Sequence, residues 1–229
     1  DWHLGRSFHR VGMLDAQAAY VDHLLDVVAA EQVDLVVVSG DVHDRALPPV
    51  DAVELADETF ARLAASRASV VVSSGNHDSP ARLGFNARLA DAAGVHLRTR
   101  WQDVGDPVLL EDAHGPVAVY GIPYLEPDAV RTAWDLPARS HEAALTEAMA
   151  RVRADLARRG DARSVVLAHA FVAGSPDAAP RMASASERFD ACSSSTFSST
   201  VPRAMRRVAI TWRVWPMRCV RSMACASTA

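Results

Sequence analysis

Four short clusters of carboxylate, imidazole and amide side chains punctuate the chain: Asp1-Trp2-His3, Gly40-Asp41-Val42-His43-Asp44, Gly75-Asn76-His77-Asp78 and Ala168-His169. All but the first follow an apolar run directly. That is the layout of a two-metal phosphoesterase, in which loops at the ends of successive strands deliver the ligands. Asp1 and His3 are two residues apart. In an extended segment such residues point the same way, so both could ligate one cation; taken alone, the pair is a weak signal and reads more plainly as an exposed polar start. Asp41 follows Gly40, and glycine lets the backbone turn sharply enough to aim a carboxylate into a crevice. One carboxylate there could bridge two cations, one oxygen on each. His43 and Asp44 share the loop, and His43 reads as a surface imidazole touching solvent or substrate rather than a ligand.

Asn76 offers a neutral carbonyl oxygen, suited to a hard or borderline cation. His77 is adjacent, so its side chain points elsewhere. It suits a general acid for the leaving oxygen or a hydrogen-bond donor to the transition state, with Asp78 placed to fix its tautomer and raise its pKa. His169 ends a strand and reads either as a ligand or as a core histidine. Arg6, Arg10 and Arg45 flank the first two loops, where phosphate would approach and guanidinium forks would suit it; the plainer reading is solvated surface arginines. His9, His23, His96, His114 and His141 belong to no motif. No P-loop, nucleophile elbow or dinucleotide fingerprint is present.

The elements that must carry these clusters follow from periodicity. Residues 13–31 read as a helix with Leu14, Ala18, Val21, Leu25 and Val28 on one face. Residues 50–66 read as another, with Val53, Ala56, Phe60 and Leu63 inward. Residues 34–39 and 69–74 are continuous β-branched runs, hence buried strands. Helices are expected over 79–92, with Pro80 in the first turn, and over 140–159. Strands are expected at 95–97, 108–110, 117–122 and 164–168. Alternation of this kind argues an α/β architecture with a largely parallel central sheet, whose chemistry gathers at the carboxyl ends of the strands.

Composition bounds the class. The chain has 229 residues, 49% of them apolar and 23% charged, as ordinary globular proteins do. No apolar stretch approaches the roughly 20 residues of a membrane span, and no signal peptide opens the chain, so an intracellular protein is expected. The net charge of −4 hides an asymmetry: residues 1–190 carry 18 Arg and 28 acidic residues, whereas 191–229 carry six Arg and no acid. Lys is absent. The cysteines are Cys192, Cys219 and Cys225, an odd number without zinc spacing. From Phe189 onward the character changes to a Ser/Thr-rich stretch, then Arg, Met, Trp and Cys without period. The expected organisation is a catalytic domain over 1–188 and an atypical tail over 189–229, either disordered or partner-docking, or the product of a reading-frame change.

Asp1-Trp-His-Leu-Gly-Arg-Ser-Phe8, Ser39-Gly-Asp-Val-His-Asp-Arg45, Ser74-Gly-Asn-His-Asp-Ser79 and the segment ending at His169 closely resemble the SbcD branch of the calcineurin-like metallophosphoesterases, the nuclease subunits of bacterial SbcCD complexes. The resemblance implies two packed mixed β-sheets flanked by helices, a four-layer α/β/β/α fold. It implies two manganese ions, or magnesium in their place. Asp1 and His3 match ligands of the first metal, Asp41 the bridging carboxylate, and Asn76 and His169 ligands of the second. His77 matches the catalytic histidine that is not a ligand. The implied reaction is hydrolysis of DNA phosphodiesters, exonuclease and endonuclease in type, in repair and recombination. The implied partners are DNA, an SbcC-like coiled-coil ATPase and a second copy of the chain within a heterotetramer, in the cytoplasm beside the nucleoid and away from membranes. Two departures stand against the pattern. The family places a strand before the Asp-x-His pair, whereas Asp1 is the first residue here. The family also completes both metal shells with a later Gly-His-x-His, whereas residues 170–229 hold no histidine. An incomplete fold and a weak or inactive site are therefore expected. The rival readings are a nucleotide phosphodiesterase of the same chemistry and a non-catalytic scaffold that dimerises or docks an ATPase.

Overall fold

The computed structural model describes residues 1–170 and the backbone of Val208–Thr211. After the Asp1-Trp-His segment comes a short antiparallel hairpin, β1 (Ser7–Phe8) and β2 (Val11–Gly12). Then follow α1 (Leu14–Ala30), β3 (Leu35–Ser39), α2 (Val50–Ala64), β4 (Ser69–Ser73), α3 (Pro80–Leu83), α4 (Ala87–Ala92) and β5 (Val95–Arg98). A 3-10 turn at Trp101–Asp103 leads into β6 (Val108–Asp112), β7 (Gly115–Ile122), α5 (Pro127–Ala133), α6 (His141–Ala157) and β8 (Arg163–Ala168). The last described element is β9 (Val208–Thr211).

The strands form two larger sheets. One is all parallel, in the order β5-β4-β3-β9. The other is mixed, with β7 antiparallel to β6 and parallel to β8. The valine runs of β3 and β4 are continuous because both faces of this sheet are covered. Side chains alternate across a strand. Val36, Val38, Val70 and Val72 turn to Leu24 and Val28 of α1 and to Ala56 and Leu63 of α2. Leu35, Val37 and Val71 turn the other way, onto Val108, Val117, Val119, Val165 and Leu167 of the mixed sheet. The mixed sheet repeats the device: Ala118, Tyr120 and Ile122 of β7 face Val130 of α5 and Ala144, Ala148 and Val152 of α6. The result is four layers, helix, sheet, sheet, helix, as the resemblance implies. Strand–helix alternation alone argues one parallel sheet and misses the second.

Three local expectations are corrected. The single helix over 79–92 is two short helices, because Asn86 adopts a left-handed conformation at φ +59° and breaks the ladder. The inward stripes hold at Val21 and Val28 of α1 and at Ala56 and Leu63 of α2, with Leu25 and Phe60 packed against the same core; Leu24 is buried as well, and Val53 is exposed while Ala52 faces inward. α5 goes beyond the helices that periodicity predicts; Pro127 in its first turn is the available signal. Four residues of the aperiodic segment, Val-Ala-Ile-Thr, pair in parallel with β3, and the rest of the expected tail lies outside the described residues. Among the described residues no helix is long and apolar enough to cross a membrane.

Candidate metal centre

The first four residues are laid along the loop that follows β3. The Trp2 and His3 amides both donate to the Asp41 carbonyl at 2.8 Å, and Leu4 N donates to Val42 O at 2.9 Å. Gln17 on α1 holds them from the other side. Its Nε2 donates to the carbonyls of Trp2 (3.2 Å) and His3 (2.7 Å), and its Oε1 accepts from Gly5 N at 3.0 Å. Beyond β3 the chain takes two left-handed steps, Gly40 at φ +82° and Asp41 at φ +48°. Asp tolerates that region better than most side chains. A Cβ on Gly40 would lie 2.4 Å from His169 Nδ1, and one on Gly75 would lie 2.0 Å from Asp41 Oδ1. Both glycines are therefore required for the close approach of the loops.

Asp41 is the hub. Its Oδ2 lies 3.5 Å from His3 Nε2 and 3.6 Å from His169 Nε2, while Oδ1 accepts from the His77 amide at 2.9 Å. His169 comes from the other sheet, at the end of β8. Its Nδ1 is 2.7 Å from the Ser39 carbonyl, which can only accept, so the neutral ring carries its proton there and presents a lone pair at Nε2. Asn76 Oδ1 faces that same Nε2 at 3.0 Å. Asp1 Oδ1 stands 3.5 Å from His169 Nδ1. His77 is held alike, Nδ1 donating to the Asp44 carbonyl at 2.7 Å and leaving Nε2 as its free nitrogen. The His3 and His77 rings meet edge to face at 4.7 Å. Burial drives the His3 pKa down to about 4; Asp41 opposes this, and His77, Arg6 and the terminal amine reinforce it. His3 is neutral at ordinary pH.

Donor atoms thus form two overlapping groups, His3–Asp41–His77 and Asp1–Asp41–His169, with the atoms of each within 4.8 Å of one another. Asp41 belongs to both. Asp1 falls in the group with His169 and His3 in the group with His77, and His3 sits at φ +48° rather than in the extended conformation expected. His77, expected apart from the ligands, falls inside a donor group. Asp78 does not support His77. Its buried carboxylate accepts from the amides of Val42 (3.1 Å), His43 (2.9 Å) and Gly75 (2.9 Å), stitching the two ligand loops together. Burial raises its pKa, but the bonds from the His43 side chain and these amides outweigh burial and hold it below the usual range. His43, expected at the surface, is buried beside Asp78, Nδ1 to Oδ1 at 3.6 Å.

The arginines divide. Arg6 and Arg45 reach the Asp44 carboxylate at 3.9 and 4.0 Å and rim the centre. Arg10 is exposed in the turn between β1 and β2. Sequence reasoning assigns Asp44 no role, although its carbonyl orients His77 and its carboxylate lies 3.4 Å from His3 Nδ1. It also passes over Tyr124, whose ring stands against His169.

Residues 1–170 match the family described as calcineurin-like phosphoesterase. The chain belongs to that family. Among relatives, this calcineurin-like phosphoesterase is similar to the SbcD subunit of the nuclease SbcCD from Staphylococcus saprophyticus subsp. saprophyticus, 30% identical over 152 residues. The matched region covers 66% of the chain and 39% of the relative, so the chain spans well under half the length of that protein. The family implies a divalent metal, and the donors of this phosphoesterase fit one. His169 Nε2 lies 3.0 Å from Asn76 Oδ1 and 3.6 Å from Asp41 Oδ2. Imidazole nitrogen, amide oxygen and carboxylate clustered in this way suit a divalent metal.

Proposed function

We propose that the chain is an SbcD-like, metal-dependent nuclease subunit that hydrolyses phosphodiester bonds in DNA. The observation that carries the reading is the position of Asp41, shared by two donor groups at the carboxyl ends of strands from both sheets. His3 and Asp41 would hold one manganese ion, with His77 beside them; Asp1, Asp41, Asn76 and His169 would hold the other, and magnesium is the substitute. When bound, the ions supply an activated water and offset charge on the attacking and leaving oxygens. His77 keeps its Nδ1 proton on the Asp44 carbonyl, so the proton passed to the leaving oxygen comes from Nε2 of the imidazolium. Arg6 and Arg45 stand where diester oxygens enter, and Asp44 keeps their guanidinium groups at the rim. Arg10 lies on the hairpin and serves more distant backbone phosphates. The partners in this reading are DNA, an SbcC-like ATPase and a second copy of the chain, in the cytoplasm. The nuclease domain is read over 1–188, and the segment after it lends β9 to the parallel sheet.

The test is hydrolysis of linear duplex DNA and of a small chromogenic diester, each with manganese and with chelator. Metal-dependent DNA cleavage that disappears in Asp41→Asn supports the reading. Cleavage of the small diester alone assigns a nucleotide phosphodiesterase instead, and partner binding with neither activity assigns a scaffold.

A further inference from the structure

The flank of the centre beyond His169 is aromatic. β7 ends at Ile122, and Tyr124 follows with its amide donating to Ser74 O at 2.8 Å, so a residue of the mixed sheet is anchored on the loop after β4. Its half-buried ring meets His169 near-perpendicularly, centroids 6.3 Å apart at 74°. On another side it meets His141, at 5.6 Å and 48°. His141 opens α6 and is exposed. Neither ring supplies an atom to either donor group. The pair therefore lines the approach to the centre without serving metal binding. A diester seated at Asp41 must carry its substituents outward past such a flank. Flat, amphipathic rings there stack on nucleobases with little regard to base identity, since every base offers a π-face. A diester lacking an aromatic substituent gains nothing from them.

We propose that Tyr124 and His141 form a nucleobase-binding ledge beside the metal centre, receiving the base of a nucleotide that adjoins the scissile phosphate. The proposal rests on the reading of the centre as a phosphodiesterase and narrows its substrates to nucleotides.

The experiment uses the full chain, with calcium as the divalent ion, and three probes. They are a single-stranded tetranucleotide carrying fluorescent 2-aminopurine, the same tetranucleotide with an abasic residue in that place, and 2-aminopurine deoxynucleoside monophosphate. Stacking quenches the fluorophore. The wild-type chain and Tyr124→Phe are expected to quench it. Tyr124→Leu and His141→Ala are expected to weaken binding of the base-bearing tetranucleotide about tenfold while binding the abasic one unchanged. His141 is exposed, so its variant tests the ledge even where Tyr124→Leu fails to fold. Unchanged quenching in His141→Ala and in folded Tyr124→Leu, or an equal loss with the abasic probe, overturns the proposal. Quenching of the monophosphate without tetranucleotide binding supports the ledge and removes the DNA reading. Tetranucleotide binding without quenching removes the ledge and leaves the DNA reading standing.

Discussion

At the scale of single residues, Asp41 combines duties that sequence alone keeps separate. One oxygen orders the His77 loop through its amide, and the other faces two imidazoles. Asp41→Asn keeps an acceptor for His77 but removes the charge the cations need. Manganese affinity should fall at least ~100-fold by calorimetry, beyond the usual cost of losing a neighbour of a ligand. Metal-free stability should change little, because the amide oxygen of Asn keeps the bond from the His77 amide. Asp78 should behave oppositely. Asp78→Asn turns an amide NH2 toward backbone donors, leaving at least one unsatisfied, and should cost about 1–3 kcal/mol in urea unfolding. His3 supplies a pH signature. Its folded pKa of about 4 lies below the ordinary histidine value of 6.5, so the unfolded chain binds the proton more readily. Metal-free stability should hold above that ordinary value and decline as pH falls through the interval toward about 4. His3→Gln should flatten the decline in thermal melts recorded across it. The clusters themselves are legible because each follows a strand, and the ligand candidates do converge. Their surroundings are not: the hydrogen bonds of Asp78 run to backbone amides that no motif records, and no motif records the bond from His77 to the Asp44 carbonyl.

At the scale of elements, α1 reaches the centre through Gln17, a residue that periodicity treats as ordinary helix surface. Gln17→Leu preserves helix propensity and removes the grip on Trp2, His3 and Gly5. Amide exchange at Gly5, whose N–H bonds to Gln17, should then accelerate, while amides within α1 keep their protection. β3 and β4 are readable because burial on both faces writes an unbroken valine run. The break between α3 and α4 is not, since it depends on the left-handed Asn86. On α2 periodicity finds Ala56, Phe60 and Leu63 but misplaces Val53, which is exposed while Ala52 is buried.

At the scale of the whole molecule, neither sheet holds the centre alone. Asp41, Asn76 and His77 come from loops of the parallel sheet, and His169 comes from the mixed one. The contact between sheets is an apolar layer in which Leu35 is fully buried. Leu35→Ala should cost about 2–5 kcal/mol by denaturant unfolding. It should also weaken manganese binding, although Leu35 touches no ligand, and saturating metal should restore part of the lost melting temperature. The bond from His169 Nδ1 to the Ser39 carbonyl spans the seam between the sheets. The centre is thus a vernier on the alignment of the two halves. A slip of one past the other by an atom's width would part the imidazole from its carboxylate while each half kept its own ladder intact.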